Sequence, residues 1–353
     1  MKIIVSGPPS QLKNSGGVAN HIHGLFPYFT EDVRINGAGK RSSKDGSGKF
    51  WIPWDVIKIF FKLMFIRPDF LWVNPSIGMG ALRRDFLLAN VAHLLGVKVA
   101  IFIHGFDLKN FEKIDKIWLR DNLNKASLIF VLASDFKNRL EEIGVTTPIE
   151  LTTTKVEDSL VDGFDISTRN GKTGDLLFLA RLEKNKGIYE TIETFKILKK
   201  DFPNLTLNIV GGGSEEANVR DLVKRENLQG VTIAGRLSGD SVTEAYKNAR
   251  ILFLITTHGE GMPTTVLEGM AFGLPVITRP VGGLTDFFEN GKMGFIDSTL
   301  DPVKIADGVR PFLQNPELIR QVAQYNHRYA MEHFMASKVA CSLEKIFAKY
   351  NTK

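Results

Sequence analysis

The sequence has a single cysteine, Cys341, among its 353 residues. One cysteine excludes an internal disulfide and fits a reducing compartment. The chain also lacks an uninterrupted apolar run long enough to span a membrane, because its most apolar stretch, residues 49–68, contains Lys58 and Lys62. The apolar run at the start of the chain is too short for the core of a signal peptide. We therefore expect no cleaved leader and a cytoplasmic location.

A glycine-rich dinucleotide fingerprint is missing as well. The first apolar run is followed by "SGPPSQ", residues 6–11, and not by G-x-G-x-x-G. A nicotinamide-dependent Rossmann enzyme is therefore the least favoured enzyme class. The basic excess is modest and no nucleic-acid-binding motif accompanies it, so no nucleic-acid partner is expected.

The formal net charge of +6 is unevenly distributed along the chain. Residues 1–84 contain twelve Lys and Arg against five Asp and Glu, a net of +7, so the remainder carries about −1. This asymmetry favours a local anionic partner. Residues 49–68 lie in the basic quarter, and two interpretations stay open for them. They form either a mostly buried domain helix or a helix on an anionic membrane surface, which would make the protein peripheral at the inner face of the membrane.

Short apolar runs alternate with helical patterns, and the series starts twice. In the first half the runs are "KIIVSG", "DFLWVN", "KVAIFIHG" and "SLIFVLAS", and in the second half "DLLFLAR", "TLNIVGGG", "GVTIAG", "RILFLITT" and "LPVITR". This pattern predicts an α/β fold of two Rossmann-like, doubly wound domains with ligands at the carboxyl ends of their strands, facing each other across a cleft. The polar segment 152–175 between the series predicts domains over residues 1–165 and 172–335.

Two carboxylates, Glu260 and Glu268, flank Gly-Met-Pro-Thr-Thr in a region that is otherwise apolar. Pro263 is expected at the first position of a helix that ends before Gly273. The N–H groups of residues 264–266 would then form an anion site suited to a diphosphate. Each carboxylate accepts two hydrogen bonds and can hold the diol of a sugar. The alternative is a pair of solvated or ion-paired acids.

Two further clusters follow predicted strands. Arg181 comes directly after the strand "DLLFLA", and Lys186 precedes the next helix, so the two cations can converge on a phosphate. Alone, they would be interpreted as surface charges. Gly212 lies in the turn "GGG", where a backbone can approach a ligand closely.

Together these stretches resemble the family 4 retaining glycosyltransferases, which have the GT-B fold. Glu260 and Glu268 match the E-x7-E pattern of that family. "RLEKNKG", which contains Arg181 and Lys186, matches its R-L-x-x-x-K-G pattern, and residues 282–286 match GG-x-x-acid with Asp in place of the usual Glu. The resemblance covers nearly the whole chain and is strongest over residues 175–296.

The N-terminal half adds two weaker matches. "NSGGVANHIHGL" is similar to the glycine loop of the family at Gly16 and Gly17, and "IFIHGFD" to its His-bearing strand end at His104. Where relatives often have "PNGVD", this chain has residues 153–157, "TTKVE". The resemblance also implies that a C-terminal helix over residues 336–353 packs back on the N-terminal domain.

The resemblance implies a role for each matched residue. Arg181 and Lys186 would hold the donor diphosphate and stabilise the charge that grows as it leaves, so that neither a metal nor another cofactor is needed. Glu268 would bind the nucleotide ribose, while Glu260 and His104 would contact the transferred sugar. The implied catalytic residues are Glu260, His104, Arg181 and Lys186. The implied donor-binding residues are Gly16, Gly17, Arg181, Lys186, Gly212, Arg236, Leu237, Glu260, Gly261, Met262, Pro263, Thr264, Thr265 and Glu268.

The function implied is transfer of a hexose or related sugar, with retention, from a nucleotide-diphospho-sugar to a glycan or lipid-linked glycan acceptor. Such a reaction belongs to polysaccharide or lipopolysaccharide biosynthesis. Arg83 and Arg84 are candidates for contact with an anionic acceptor, against the alternative of a solvated helix face. Two other hypotheses stay open: a GT-B phosphorylase or epimerase-type enzyme, and a non-catalytic GT-B subunit that binds glycan.

Overall fold

The computed structural model describes residues 1–8, 16–39, 51–169 and 174–351. The chain forms two compact units. The first unit comprises Met1–Lys155, Gly259–Met262 and Ala336–Lys353, and the second comprises Val156–His258 and Pro263–Met335. The sequence predicts that the first domain ends at residue 165, but residues 156–165 belong to the second unit. The backbone N–H of Val156 donates to Phe334 O at 2.7 Å, which ties the start of this segment to the second unit.

The first unit contains a six-stranded parallel sheet. Its strands are β1 Lys2–Gly7, β2 Asp32–Gly37, β3 Phe70–Val73, β4 Lys98–Ile103, β5 Leu128–Val131 and β6 Ile149–Leu151. They lie in the order β2-β1-β3-β4-β5-β6, and every pairing is parallel. The central strands are apolar and buried because helices cover both faces of such a sheet.

The second unit contains another six-stranded parallel sheet. Its strands are β7 Asp175–Leu179, β8 Leu207–Val210, β9 Val231–Gly235, β10 Ala249–Leu254, β11 Val276–Thr278 and β12 Gly294–Ile296. They lie in the order β12-β11-β10-β7-β8-β9, all parallel. The two doubly wound sheets confirm the α/β prediction.

Helices connect the strands of each sheet. In the first unit they are α1 Gly17–Leu25, α2 Ile52–Ile66, α3 Met79–Leu94, α4 Leu108–Lys113, α5 Lys116–Leu123, α6 Ser134–Glu142 and α13 Ala336–Tyr350. In the second unit they are α7 Ile188–Asp201, α8 Glu216–Arg225, α9 Asp240–Asn248, α10 Thr264–Ala271, α11 Pro302–Gln314 and α12 Pro316–His333. Short 3-10 helices span Phe26–Tyr28, Asp158–Val161, Ile166–Thr168, Lys184–Lys186 and Gly282–Asp286. Within the described ranges, each helix is too short or too polar to cross a bilayer.

Helix α13 packs on the first sheet. The ring of Phe347 lies with its centroid 5.1 Å from that of Phe70 and 5.5 Å from that of Trp72. The Glu344 carboxylate accepts from the backbone N–H of Thr30 at 2.6 Å. Fully burying an aromatic side chain such as Phe347 stabilises the fold by about 1.5–3 kcal/mol, so α13 is an integral part of the first unit.

Candidate functional site

The glycine turn after β8 packs directly against the loop that carries Arg181. Gly211 has a φ of +146°, and a Cβ there would lie 1.8 Å from Ala180 O. The backbone N–H of Leu182 donates to Gly212 O at 3.0 Å. Because β7 and β8 are neighbours in a parallel sheet, both loops follow the carboxyl ends of their strands and lie at one edge. Glycine is required at this turn because only a bare backbone can approach the Arg181 loop so closely.

Arg181 and Arg236 bring positive charge to this edge. The Arg181 side chain is 64% exposed, and its Nη1 lies 2.6 Å from Glu183 Oε1. An ion pair this exposed is weak, so an incoming anion can compete for the guanidinium. Arg236 is exposed and Leu237 half-buried. A Cβ at Gly212 would lie 3.8 Å from the Arg236 Cβ, so the two residues are adjacent.

Lys186 is buried at the end of the 3-10 helix that follows the Arg181 loop. The neighbouring Asn185 O accepts from the backbone N–H of Thr257 at 2.8 Å, which ties this turn to the residues after β10. Gly187 has a φ of +80°, and a Cβ there would lie 2.3 Å from Ile255 O. Gly187 follows Lys186 for a physical reason. Without a side chain at residue 187, the turn can lie against the end of β10, and this contact fixes the position of Lys186.

The N-terminus of α10 differs from the prediction by one residue. The helix begins at Thr264, and Pro263 is its N-cap, with φ −72° and ψ 109°. The N–H of Val266 donates to Pro263 O at 3.1 Å, so the predicted anion site keeps the N–H groups of Thr264 and Thr265. These two groups have no acceptor inside the helix. The cap side chain makes no hydrogen bond and the first turn has no acid, so this helix end is electropositive.

Glu268 is held in one orientation by a buried tyrosine. Tyr246 OH donates to Glu268 Oε2 at 2.6 Å, and the Tyr246 ring stacks on Phe272 with centroids 5.1 Å apart. Burial, and then the neighbouring Glu268 carboxylate, raise the pKa of Tyr246 well above its ordinary value. The phenol therefore stays a donor at physiological pH. Tyr246 belongs to no motif in the sequence, because it acts on the site only through its hydrogen bond to Glu268.

His104 follows β4 in the first unit and is buried. Its Nε2 lies 2.9 Å from Asn74 Oδ1, while Asn74 Nδ2 donates to Ser6 O at 3.0 Å. Because the amide nitrogen of Asn74 is engaged as a donor, its oxygen accepts, and the proton of His104 belongs on Nε2. Burial lowers the pKa of His104 well below its ordinary value, so the ring is neutral and Nδ1 is an acceptor. No motif in the sequence points to Asn74 as part of this arrangement.

A second buried histidine lies beside the first. The ring centroid of His21 is 5.0 Å from that of His104, and neither His21 nitrogen has a hydrogen-bond partner among the residues that the structure describes. Burial, and then the charge of Lys155, lower the pKa of His21 to about 3. Lys155 lies in the segment that departs from the family pattern, and its Nζ donates to Asn20 Oδ1 at 2.8 Å.

The loop Gly259–Met262 belongs to the first unit, with His104. A Cβ at Gly261 would lie 2.1 Å from His104 O, so this loop packs on the end of β4. Thr154 Oγ1 donates to Met262 O at 3.4 Å. The structure thus brings the half-buried Glu260 and His104 into one unit, whereas Glu268 belongs to the second.

Gly16 and Gly17 lie at the exposed N-terminus of α1. Gly16 is the N-cap residue of α1. Among the residues that the structure describes, none has an atom within 4 Å of a Cβ built at either glycine. Packing against the described residues therefore does not require glycine at these positions.

The two arginines proposed for the acceptor side have different environments. Arg83 is exposed and stays a prediction. The guanidinium of Arg84 binds the buried Asp85 carboxylate through two hydrogen bonds, with Nε to Oδ1 at 2.6 Å and Nη2 to Oδ2 at 2.8 Å. A bidentate pair with a buried acid has a structural role, so the acceptor-side prediction for Arg84 is not supported.

The described residues include no group of three or more His, Cys, Asp or Glu side chains placed to hold a metal ion. The Asp of the GG-x-x-acid pattern, Asp286, ends the 3-10 helix Gly282–Asp286 and is exposed.

Residues 163–329 match the model of the family of glycosyl transferases group 1. The match covers slightly less than half of the chain and includes Arg181, Lys186, Glu260 and Glu268.

The chain is also similar to a curated protein, the capsular polysaccharide biosynthesis glycosyltransferase CapM of Staphylococcus aureus. The two are 28% identical over 262 residues, which is 72% of this chain and 63% of CapM. The matched region therefore spans less than two thirds of the relative.

Two solved structures have the same fold. The crystal structure of Anabaena Alr3699/HepE in complex with UDP has a TM-score of 0.75 at 15% identity and covers 99% of this chain and 100% of its own. Sucrose-phosphate synthase from Thermosynechococcus elongatus has a TM-score of 0.74 at 16% identity and covers 99% of this chain and 98% of its own. The two parallel six-stranded sheets with their flanking helices are thus those of the GT-B fold.

Proposed function

We propose that this protein is a retaining glycosyltransferase, from the premise that residues 163–329 match the model of the glycosyl transferases group 1 family. Its donor would be a nucleotide-diphospho-sugar, and its acceptor a glycan or lipid-linked glycan. The observation that carries the proposal is the positive edge of the second sheet. Arg181 and Lys186 follow the carboxyl end of β7, and the N-terminus of α10, to which no cap side chain hydrogen-bonds, follows that of β10.

The donor diphosphate fits that edge by charge. Two cations and two helix N–H groups, those of Thr264 and Thr265, can stabilise the negative charge that develops on the leaving diphosphate. We propose that Arg181 and Lys186 supply this stabilisation without a metal ion or another cofactor. HepE, which shares the fold, has been solved with UDP-glucose, a donor of the class proposed here.

The nucleotide ribose would bind Glu268. Its Oε2 already accepts a hydrogen bond from Tyr246, so the carboxylate is oriented before a ligand arrives. Two adjacent ribose hydroxyls can each donate to such a carboxylate. We propose Tyr246 as the residue that positions Glu268.

The transferred sugar would meet the groups on the loop after β4. The neutral His104 offers an acceptor at Nδ1, and Glu260 is an acid on the adjacent loop. Both can accept from sugar hydroxyls. The chemical step proposed is a substitution on one face of the sugar: the bond from the anomeric carbon to the phosphate oxygen breaks, the bond to the acceptor oxygen forms, and the acceptor proton passes to the departing phosphate oxygen. No side chain acts as a nucleophile.

The acceptor is proposed to be a growing polysaccharide. CapM is a glycosyltransferase of capsular polysaccharide biosynthesis, and the basic N-terminal quarter of this chain suits an anionic or lipid-linked glycan. The exposed Arg83 is the candidate for that contact.

A screen of nucleotide-diphospho-sugars by thermal shift, followed by product analysis, tests the function. A donor at 100 times its Kd should stabilise the folded state by about 2.7 kcal/mol, whereas the corresponding nucleoside monophosphate should give a much smaller shift. The purified chain should then transfer or slowly hydrolyse the sugar of the stabilising donor, with retention of the anomeric configuration. A donor that binds but is never turned over would indicate a non-catalytic subunit, and a pyridoxal phosphate absorbance band would indicate a phosphorylase.

Replacing Tyr246 with phenylalanine tests the positioning of Glu268. The substitution removes one hydrogen bond to a charged group, so we expect KM for the donor to rise about tenfold. The value of kcat should change little, because ribose binding is the same in the ground state and the transition state. Wild type should also discriminate strongly against a 2′-deoxyribose donor, and Tyr246→Phe should discriminate less.

The matched control is Tyr325→Phe, because Tyr325 OH donates to a different carboxylate of the same unit, Glu289 Oε1, at 3.0 Å. It should leave KM and the deoxyribose discrimination unchanged. If both variants behave alike, or if Tyr246→Phe changes only the melting temperature, Tyr246 does not position the ribose-binding acid.

A further inference from the structure

Helix α2 presents an apolar face to solvent. Five large apolar side chains on it are exposed, namely Trp54, Ile57, Phe61, Met64 and Phe65. Their spacing of three, four, three and one residues places them on one side of a helix. Trp54 is 58% exposed and Phe65 77% exposed. A contiguous apolar patch of this kind, unlike a single exposed leucine, marks an interaction surface.

The opposite face of α2 fixes the helix to the first unit. Ile59 and Leu63 are buried, and α2 packs against α3. The buried Asp55 carboxylate accepts from the backbone N–H of Gly39 at 2.7 Å. The interpretation of residues 49–68 as a buried domain helix is therefore correct for one face only, and the exposed face belongs to a helix that is already folded and anchored.

Two lysines border the exposed face. Lys58 and Lys62 lie one turn apart, and neither ammonium pairs with a carboxylate in the ranges that the structure describes. The positive charges of Lys58 and Arg34 lie close enough to Lys62 to lower its pKa, after the larger effect of burial. The whole N-terminal quarter has a net charge of +7 over residues 1–84. The surroundings of the apolar face are thus positive.

We infer that this face of α2 docks the protein on an anionic lipid bilayer. The helix has 15 residues and is about 22 Å long, shorter than the roughly 30 Å hydrocarbon core, so it would lie in the plane of the interface. Trp54, Phe61 and Phe65 insert among the acyl chains near the headgroups, and Lys58 and Lys62 reach the lipid phosphates. The proposed function assigns no role to the five apolar side chains of this face.

The charges favour a lipid surface over a second copy of the chain. A two-fold interface would bring the same patch of both copies together, and the Lys58 and Lys62 ammonium groups of one copy would then approach those of the other. An anionic bilayer instead offers phosphates to these cations and an apolar layer to the aromatic side chains.

Co-sedimentation with vesicles tests the inference. The full chain should bind vesicles of phosphatidylcholine with phosphatidylglycerol and should bind vesicles of phosphatidylcholine alone much more weakly. Trp54→Ser with Phe65→Ser should lower the partition coefficient by roughly tenfold or more per side chain. Lys58→Gln with Lys62→Gln should remove most of the preference for phosphatidylglycerol and most of its salt dependence.

Matched controls use side chains of the same kind elsewhere. Ile117→Ser with Val303→Ser replaces exposed apolar residues, 62% and 53% exposed, outside α2, and Lys304→Gln with Lys338→Gln makes the same change of net charge. Both controls should bind like wild type. Every variant should keep the wild-type melting temperature, because the replaced side chains are exposed or half-buried.

Tryptophan fluorescence locates the contact directly. In a Trp51→Phe background, which removes the exposed tryptophan at the N-cap of α2, brominated acyl chains should quench the emission of Trp54 and leave that of the buried Trp72 unchanged. Adding Trp54→Phe should abolish this quenching. Absence of binding to anionic vesicles would overturn the inference, as would equal loss in the control variants. Sedimentation of wild type as a dimer that Trp54→Ser converts to a monomer, without vesicle binding, would assign the face to self-association instead.

Discussion

Replacing Lys186 with alanine is expected to lower kcat/KM for sugar transfer by about 10²- to 10³-fold. Lys186 is buried in a turn that Asn185 and Gly187 fix against the end of β10. A cation held in place there requires no reorganisation as charge develops on the diphosphate, and water cannot replace it at equal strength. The measurement is steady-state kinetics with the donor identified by thermal shift, together with the melting temperature of each variant.

Lys184→Ala is the matched control for this prediction. Lys184 lies in the same 3-10 helix, two residues earlier, and is exposed. Its removal should leave kcat/KM within about twofold of wild type, because exposed charges are screened by solvent. Equal losses in the two variants would show that the turn matters only as a general positive surface. Lys186→Ala with wild-type kinetics would remove Lys186 from the mechanism.

Replacing Arg169 with methionine is expected to destabilise the second unit by about 3 kcal/mol or more. The guanidinium donates to the carbonyl oxygens of Phe272 at 2.9 Å, Tyr246 at 2.6 Å and Lys247 at 2.9 Å, and also to Ala249 O. These carbonyls lie at the C-terminal ends of α9 and α10, where a cation is favoured. Burial lowers the pKa of Arg169 to about 10, but the group stays charged at neutral pH.

The expected loss corresponds to a fall of about 10 °C in the melting temperature of the second unit, measured by calorimetry and by urea denaturation. Methionine keeps much of the side-chain volume, so the change reports mainly the hydrogen bonds to the four carbonyls. Arg328→Met is the comparison, since Arg328 is exposed and contacts only the Tyr325 ring, at 5.7 Å, among its described interactions. A melting temperature for Arg169→Met equal to that of Arg328→Met would contradict the proposed role. Arg169→Lys should be intermediate, because an ammonium has fewer donors.

The sequence predicts the strands of this fold where burial leaves a strong pattern. The buried strands β3 and β5 are continuous apolar runs, and such runs predict central parallel strands. β2 and β6 lie at the edges of the first sheet and β12 at an edge of the second, and the runs quoted from the sequence do not include them. An edge strand buries only some of its residues, as the burial of β2 shows. The three-residue strands β6 and β12 are also only partly buried, whereas β11, equally short, is fully buried and lies in a predicted apolar run.

The same distinction applies to the site. Arg181, Lys186 and Glu268 were identified because they occur in patterns at fixed spacing. Tyr246 and Asn74 were not, because each acts through a hydrogen bond to a residue far away in the sequence. Spacing along the chain has no information about such a partner until the strands are placed side by side.

The division of the chain at Gly259–Met262 has a consequence for protein engineering. The backbone passes from one unit to the other after residues 155, 258, 262 and 335. The two acids of the E-x7-E pattern, Glu260 and Glu268, therefore belong to different units. A chimera that takes Val156–Met335 as one block from a relative would place a foreign four-residue loop on the strand end of His104, against which Gly261 must fit without a side chain. An exchange of donor specificity between relatives should therefore use junctions at all four of these positions. Residues 259–262 then come from the parent that supplies β4.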